Sequence, residues 1–266
     1  MPAIDELFQK LRTENHKALM PFVTAGDPDV EFTAAVLREI VARGASLCEV
    51  GIPYSDPIAD GPVIQASYTR ALEKNVQLSN IFDMLAATTP ALTAPVVTMV
   101  SYAIVYRHGV EKYCDDARKA GVAGLIVPDL PVEESNGLAD VCRERDLSLI
   151  QLVTPTTPRK RAIQICETSS GFVYYVSVTG ITGERTELPA DIVENVAWLR
   201  GQTDLPICIG FGIAKPEHVK LLAPVADGLI VGSAIVRRIA EAEKRPRNEV
   251  LGEVGSYVET LLAALR

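Results

Sequence analysis

An apolar strand, an acidic loop and the start of a helix follow one another in Leu47-Cys48-Glu49-Val50-Gly51-Ile52-Pro53-Tyr54-Ser55-Asp56-Pro57-Ile58-Ala59-Asp60-Gly61-Pro62. Side chains alternate across a strand, so Glu49 shares one face with Leu47 and Gly51. The strand is otherwise apolar on both faces, which is typical of a parallel sheet that is covered on both sides. Because burying an unpaired carboxylate is costly or shifts its pKa, Glu49 is predicted to be paired or functional.

The same unit of strand and helix recurs along the chain. Strands are predicted at eight apolar runs: Leu19–Thr24, Leu47–Ile52, Pro95–Val100, Gly124–Val127, Leu147–Val153, Phe172–Val178, Pro206–Ile209 and Asp227–Val231. Helical patterns come before, between and after them at Ile4–Leu11, Val30–Arg43, Pro62–Glu73, Ile81–Thr88, Val110–Lys119, Val132–Arg145, Arg159–Glu167, Pro189–Arg200, Pro216–Leu222, Ala234–Glu243 and Val250–Leu265. The pattern predicts an α/β fold: a (β/α)₈ TIM barrel with an extra N-terminal helix and additional helices in the loops.

A doubly wound open sheet is the alternative to the barrel. The turn after the first strand reads Ala25-Gly26-Asp27-Pro28 and lacks the G-x-G-x-x-G pattern of dinucleotide-binding sheets. No shift in composition marks a second domain. We therefore expect a single TIM-barrel domain over residues 1–266.

The composition is that of an ordinary globular protein, with 48% hydrophobic and 23% charged residues. The net charge of −8 argues against a nucleic-acid partner, because nucleic-acid binding depends on clustered Lys and Arg. No apolar run is long enough for a membrane span, and the first residues lack the basic and then apolar order of a signal peptide. The five widely spaced cysteines are predicted to be buried free thiols, and we expect a cytoplasmic protein without membrane contact.

Glycine turns follow the last two predicted strands. Gly210-Phe211-Gly212-Ile213 comes after the seventh strand, and Gly232-Ser233-Ala234 comes after the eighth and opens a helix. TIM barrels often bind phosphate at this place through backbone N–H groups and a helix N-terminus. Ser233 is predicted to be both N-cap and ligand donor, with Gly183 as a third backbone donor. The alternative is that these glycines only form tight turns.

Two carboxylates belong to the second strand and its loop. Apolar neighbours should raise the pKa of Glu49, whereas Asp60 lies nearer water and should stay ionised, which would suit general acid–base chemistry. The alternatives are a structural buried acid at Glu49, helix capping by Asp60 and an Asx turn at Asp56. No Lys lies at a strand end to form a Schiff base, and no His and Asp cluster predicts a metal site.

Over essentially its whole length the chain resembles the tryptophan synthase alpha chain family. The matching motifs are Pro21-Phe22-Val23-Thr24-Ala25-Gly26-Asp27-Pro28, the segment from Glu49 to Gln65, Val127-Pro128-Asp129-Leu130-Pro131, Thr154-Pro155-Thr156-Thr157, Tyr174-Tyr175-Val176-Ser177, Ile181-Thr182-Gly183, Gly210-Phe211-Gly212-Ile213 and Val231-Gly232-Ser233-Ala234.

The resemblance implies reversible retro-aldol cleavage of indole-3-glycerol phosphate to indole and glyceraldehyde 3-phosphate. In this family the residue matching Glu49 is a general acid and base that protonates indole C3, and the residue matching Asp60 holds the indole N–H and stabilises positive charge there. Among the positions that bind substrate, Phe22 and Ile230 match residues that pack against the indole ring, and Tyr174 matches a residue beside the active site. The phosphate ligands of the family match Gly183, Gly212, Gly232 and Ser233. Thr182 lies in Gly180–Pro189, which matches a lid that closes toward Asp60.

The resemblance also implies a beta-chain partner in an α₂β₂ heterotetramer. The beta chain uses pyridoxal phosphate, whereas the alpha chain needs no cofactor. One departure is Ile104-Val105, where relatives usually carry Asn and often Pro, and it bears on loop order and on coupling to the beta chain. The alternatives are a free-standing lyase that releases indole and a slow subunit that mainly activates the beta chain. A synthase that closes the indole ring should instead present Lys at its strand ends.

Overall fold

A computed structural model describes residues 1–57, 60–176, 190–210 and 212–265, without the side chains of 190 and 191. This part of the chain contains nine strands in one sheet: β1 (Ala18–Thr24), β2 (Cys48–Gly51), β3 (Val96–Met99), β4 (Val122–Ile126), β5 (Ser148–Ile150), β6 (Leu152–Val153), β7 (Val173–Val176), β8 (Ile207–Gly210) and β9 (Gly228–Val231). Their order is β5-β4-β3-β2-β1-β9-β8-β7-β6, and each neighbouring pair is parallel.

The two ends of this row are joined through a single residue. β5 and β6 are two pieces of the fifth predicted strand, interrupted at Gln151. The Tyr174 N–H donates to the Gln151 carbonyl oxygen at 3.1 Å, so β7 pairs across the interruption. With β5 and β6 counted as one strand, the sheet closes into a parallel barrel of eight strands. The predicted TIM-barrel fold is confirmed.

Helices connect the strands and surround the barrel. Those described are α1 (Ala3–Thr13), α2 (Val30–Ala42), α3 (Pro62–Glu73), α4 (Leu78–Thr88), α5 (Tyr102–His108), α6 (Val110–Lys119), α7 (Asn136–Arg143), α8 (Arg159–Thr168), α9 (Ala190–Arg200), α10 (Pro216–Leu222), α11 (Ser233–Ala240) and α12 (Arg247–Leu265), with short 3₁₀ helices at Thr89–Ala91, Val132–Glu134 and Glu241–Glu243. Within the described ranges, none of the helices has the length and apolar character that a membrane crossing requires.

Helix α5 was not predicted, and its first turn depends on a residue far away in the chain. The carboxylate of Asp129 accepts from the Tyr102 N–H at 2.8 Å and from the Ser101 hydroxyl at 2.6 Å. The Ser101 hydroxyl oxygen in turn accepts from the Ala103 N–H. Because Asp129 follows the next barrel strand, local sequence patterns do not reveal this helix start.

The predicted helix over Val132–Arg145 is divided in the structure. A 3₁₀ turn over Val132–Glu134 comes first, and α7 starts at Asn136. The buried Ser135 hydroxyl lies between these pieces and donates to the Val132 carbonyl at 2.9 Å. This local bond competes with continuous helical pairing, which is the usual effect of Ser within a helical pattern.

Two apolar layers cover the two faces of β2, as alternation predicts. Val50 and Ile52 pack in the outer layer between the strands and the helices, whereas Leu47 packs inside the barrel. At the amino end of the barrel, Ile4 and Phe8 of α1 join this inner layer, and Phe8 lies 5.9 Å from Phe172 between ring centroids. Helix α1 thus closes one end of the barrel. All five cysteines are free and buried, as predicted.

A partly buried ion pair ties α3 to the turn after β1. Asp27, in the turn after β1, accepts from Arg70 of α3 through two bonds, of 2.8 Å from Nε and 2.6 Å from Nη2. The Asp27 side chain is fully shielded from solvent. Burial raises the pKa of its carboxyl group, and the paired guanidinium opposes that rise. The pair ties the last turn of α3 to the turn after β1, and α3 follows directly on the Asp60 loop.

Candidate active site

Glu49 projects from β2 into the interior of the barrel. Its strand neighbours are Phe22 on β1 and Val97 on β3, and its exposed fraction is 0%. Within the described part of the chain, neither carboxyl oxygen has a hydrogen-bond partner. Burial, with a smaller contribution from the charge of Asp60, raises the pKa of Glu49 to about 8. The group is therefore mainly protonated at neutral pH.

Asp60 lies in the loop between β2 and α3, and both acids line the same cavity. Burial raises the pKa of Asp60 to about 6, so this carboxyl is still mainly ionised at neutral pH. Gly61, not Asp60, occupies the N-cap position of α3, and no side chain caps this helix. The geometry therefore gives no support to the capping alternative for Asp60.

The cavity opens at the carboxyl ends of the strands and has a volume of about 340 Å³. Its apolar wall includes the predicted residues Phe22, Tyr174 and Ile230. Sequence reasoning did not single out three further apolar members of this wall, Met99, Leu152 and Val176. An apolar cavity of this size with a few polar groups is typical of a small-molecule site.

Two glycines make room for the rings on this wall. A Cβ atom at Gly51 would lie 2.5 Å from Cζ of Phe22, and one at Gly210 would lie 2.6 Å from Cε1 of Tyr174. Either contact is far shorter than van der Waals separation, so a larger residue would displace the ring. The absence of side chains at these two positions therefore shapes the cavity.

Gly212, Gly232 and Ser233 also line the cavity, at the ends of β8 and β9. Gly212 has a φ of +74°, which side chains with a Cβ rarely adopt. The prediction that Ser233 is the N-cap of α11 was wrong. The carbonyl of Gly232 accepts from the N–H groups of Ile235 and Val236, so Gly232 is the N-cap and Ser233 is the first helical residue. The backbone N–H of Ser233 lies in the first turn, where intrahelical acceptors are missing.

The structure brings eight of the ten predicted site residues to one cavity, namely Glu49, Asp60, Phe22, Tyr174, Gly212, Ile230, Gly232 and Ser233. The other two, Thr182 and Gly183, lie outside the described residues, as does the rest of the segment predicted to be a lid. Exposed Asp56 accepts from the Ser55 hydroxyl at 2.5 Å. The N–H of residue 58, which an Asx turn at Asp56 would use, is also outside the described residues.

Arg237 lines the same cavity and was missed from the sequence. Its only local signal is a spacing of four residues from Ser233, which places both on one helix face. As for metals, the described ranges contain no group of three His, Cys, Asp or Glu side chains that could hold an ion.

The fold and the cavity define a class of protein, a TIM-barrel enzyme with one buried and one half-buried acid in an apolar cavity. The family model for the tryptophan synthase alpha chain matches residues 8–264. The chain belongs to the tryptophan synthase alpha chain family.

Individual relatives agree over the full length. The tryptophan synthase alpha chain of Rhodopirellula baltica is 55% identical, and the alignment covers 100% of this chain and 99% of that protein. The crystal structure of the alpha chain from Legionella pneumophila superposes with a TM-score of 0.89 at 32% identity, covering 100% of this chain and 97% of that one. A chain of Mycobacterium tuberculosis tryptophan synthase superposes with a TM-score of 0.89 at 32% identity, covering 99% and 98%.

Replacing Glu49 with Gln should stabilise the protein, and more so as the pH rises. The carboxyl has a pKa of about 8 when folded, above its ordinary value of 4.5, so between these values the folded state holds a proton that the unfolded state has lost. Wild-type stability should thus fall by about 1.4 kcal/mol per pH unit across this window through Glu49, whereas the neutral Gln has no such dependence.

Urea unfolding at about pH 5 and about pH 8 measures this effect. We expect the stability difference between E49Q and wild type to widen by a few kcal/mol toward the higher pH. The matched control is E73Q, at an exposed position of α3, whose difference from wild type should stay constant. An equally constant difference for E49Q would contradict the assignment of Glu49 as a buried neutral acid.

Proposed function

We propose that Glu49 and Asp60 carry out the chemistry of this family in the cavity described above. The chain is a carbon–carbon lyase, the alpha subunit that cleaves indole-3-glycerol phosphate reversibly to indole and glyceraldehyde 3-phosphate in L-tryptophan biosynthesis. One observation supports the proposed roles above the others. It is the burial of Glu49 as a mainly neutral acid in a cavity that also contains the mainly ionised Asp60.

The proposed reaction begins with proton transfer from the Glu49 carboxyl to indole C3. The positive charge that forms on the ring nitrogen is stabilised by the Asp60 carboxylate, which accepts the indole N–H. The bond between C3 and the glycerol carbon then breaks, and its electron pair restores the aromatic ring. The hydroxyl on that glycerol carbon becomes an aldehyde and returns its proton to Glu49. Because ionised Glu49 is disfavoured by burial, it is a good acceptor for this proton.

Substrate binding divides the cavity into two regions. We propose that Phe22, Ile230 and Tyr174 contact the indole ring, which suits their position on the apolar wall. The phosphate lies at Gly212, Gly232 and Ser233, where it accepts from backbone N–H groups and from the first turn of α11. Two assignments stay predictions: the role of Gly183 as a further phosphate ligand and the role of Thr182 as a lid residue.

Replacing Glu49 with Gln should abolish cleavage, because the amide cannot deliver a proton to C3. Binding of glycerol 3-phosphate should stay close to wild type, since the phosphate region is unchanged. Single-turnover release of indole measures the chemistry, and calorimetric titration with glycerol 3-phosphate measures the binding. Turnover retained in E49Q would remove Glu49 from its proposed role.

Replacing Asp60 with Asn should lower kcat by about 100-fold or more, because the neutral amide no longer stabilises the charged indole intermediate. Asn matches Asp in size, so the loop and the start of α3 should be kept. Circular dichroism and unfolding midpoints provide the control for folding. A cleavage rate close to wild type would leave Asp60 with no more than a structural role in its loop.

We further propose that the chain is one domain over residues 1–266 and works in the cytoplasm with a tryptophan synthase beta chain. The partner holds pyridoxal phosphate and joins indole to serine, and the assembly is an α₂β₂ heterotetramer. Family membership supports this proposal. Ile104, the departure from the usual Asn, lies on α5 with its side chain half-buried against the outer apolar layer.

Adding the beta chain should raise the rate of indole release by about tenfold or more, because closure of the site and subunit contact are coupled in such an assembly. The assay compares the purified alpha chain alone and with a molar excess of beta chain. High activity that the beta chain leaves unchanged would instead favour the free-standing lyase. A very slow chain that still activates the beta reaction would favour the subunit whose main role is activation.

A further inference from the structure

We propose that Arg237 is an additional phosphate-binding side chain of this site. Its guanidinium recognises the negative charge of a phosphate ester held beside Gly232 and Ser233. The inference rests on the proposed function, because it adds a residue to the same phosphate region. It concerns recognition of the substrate and assigns Arg237 no part in proton transfer.

The position of Arg237 on α11 directs its side chain toward the phosphate region. Arg237 follows Ser233 by four residues, and residues with this spacing lie above one another on one helix face. Long side chains on a helix point back toward its N-terminus, here toward the turn that begins at Ser233. Arg237 and Ser233 indeed line the same cavity.

An anionic substrate needs positive charge at this place. The chain carries a net charge of −8, and the cavity contains the carboxyl groups of Glu49 and Asp60. Among the lining residues in the described ranges, Arg237 is the single cationic side chain. Backbone N–H groups and a helix N-terminus supply partial charges only, whereas a guanidinium supplies a full charge and two parallel donors to a phosphate.

Arg237 is also available to a ligand, in contrast to its neighbour. Arg238 donates from Nη1 to the Ala234 carbonyl at 2.6 Å, and its guanidinium lies 3.6 Å from the ring centroid of Tyr257. Exposed Arg237 forms no hydrogen bond or ion pair with any residue that the structure describes. The two adjacent arginines therefore differ in role: Arg238 is held by the protein, and Arg237 lies at the cavity without an acceptor among the residues that the structure describes.

The test replaces Arg237 with Gln and measures the two halves of the substrate separately. We expect the KM for indole-3-glycerol phosphate and the Kd for glycerol 3-phosphate to rise about tenfold, with kcat within about twofold of wild type. In the reverse reaction the KM for glyceraldehyde 3-phosphate should rise, whereas the KM for indole should not. R237K should recover part of the affinity for glycerol 3-phosphate. With added salt, this affinity should fall more steeply in R237K than in R237Q.

R118Q is the matched control, because Arg118 is an exposed arginine on α6 that does not line the cavity. It should leave all these constants unchanged. The inference is overturned if R237Q binds glycerol 3-phosphate as tightly as wild type does. It is also overturned if the KM for indole rises as much as the KM for glyceraldehyde 3-phosphate. Failure of the proposed function gives a different result: wild type would not cleave indole-3-glycerol phosphate, whatever the effect of R237Q on glycerol 3-phosphate binding.

Discussion

The carboxyl group of Glu49 is buried at the inner end of the cavity and has no hydrogen-bond partner among the described residues, and this burial constrains the rest of the structure. A strand can carry such a group inward only if both of its faces are covered, one by the barrel interior and one by the outer helices. The group is then stable as a neutral acid. The proton donation that we propose for Glu49 at neutral pH relies on this burial, because it keeps the carboxyl group mainly protonated.

The two acids differ because their surroundings differ. Glu49 lies within the barrel wall and has a pKa of about 8, whereas Asp60 lies in the loop above it and has a pKa of about 6. Neutral pH falls between these values, so Glu49 is mainly protonated while Asp60 is mainly ionised, as the proposed proton transfer requires. The loop that holds Asp60 leads into α3, and the ion pair of Arg70 and Asp27 ties this helix to the turn after β1. The separation of the two pKa values follows from the different burial of the two carboxyl groups.

The sequence predicted the strands, the order of the elements and most of the cavity, because these follow from apolar runs and from alternation across a strand. The features it missed depend on residues far apart in the chain or on details of the backbone. Helix α5 begins at Tyr102, where Asp129 of the loop after β4 accepts a hydrogen bond from the Tyr102 N–H. Gly232 replaces Ser233 as N-cap through backbone bonds alone. In the sequence Arg237 looks like an ordinary surface arginine, and only the fold places it at the cavity.

Helix α1 covers the amino end of the barrel. Ile4 and Phe8 occupy this end, and among the described residues the cavity opens at the opposite face, at the carboxyl ends of the strands. We expect the reactant and both products to enter and leave at that face. A second protein that receives indole directly has to dock around this rim. Because α1 covers the amino end, the transfer of indole to a beta chain that we propose would take place at the opposite face of the barrel.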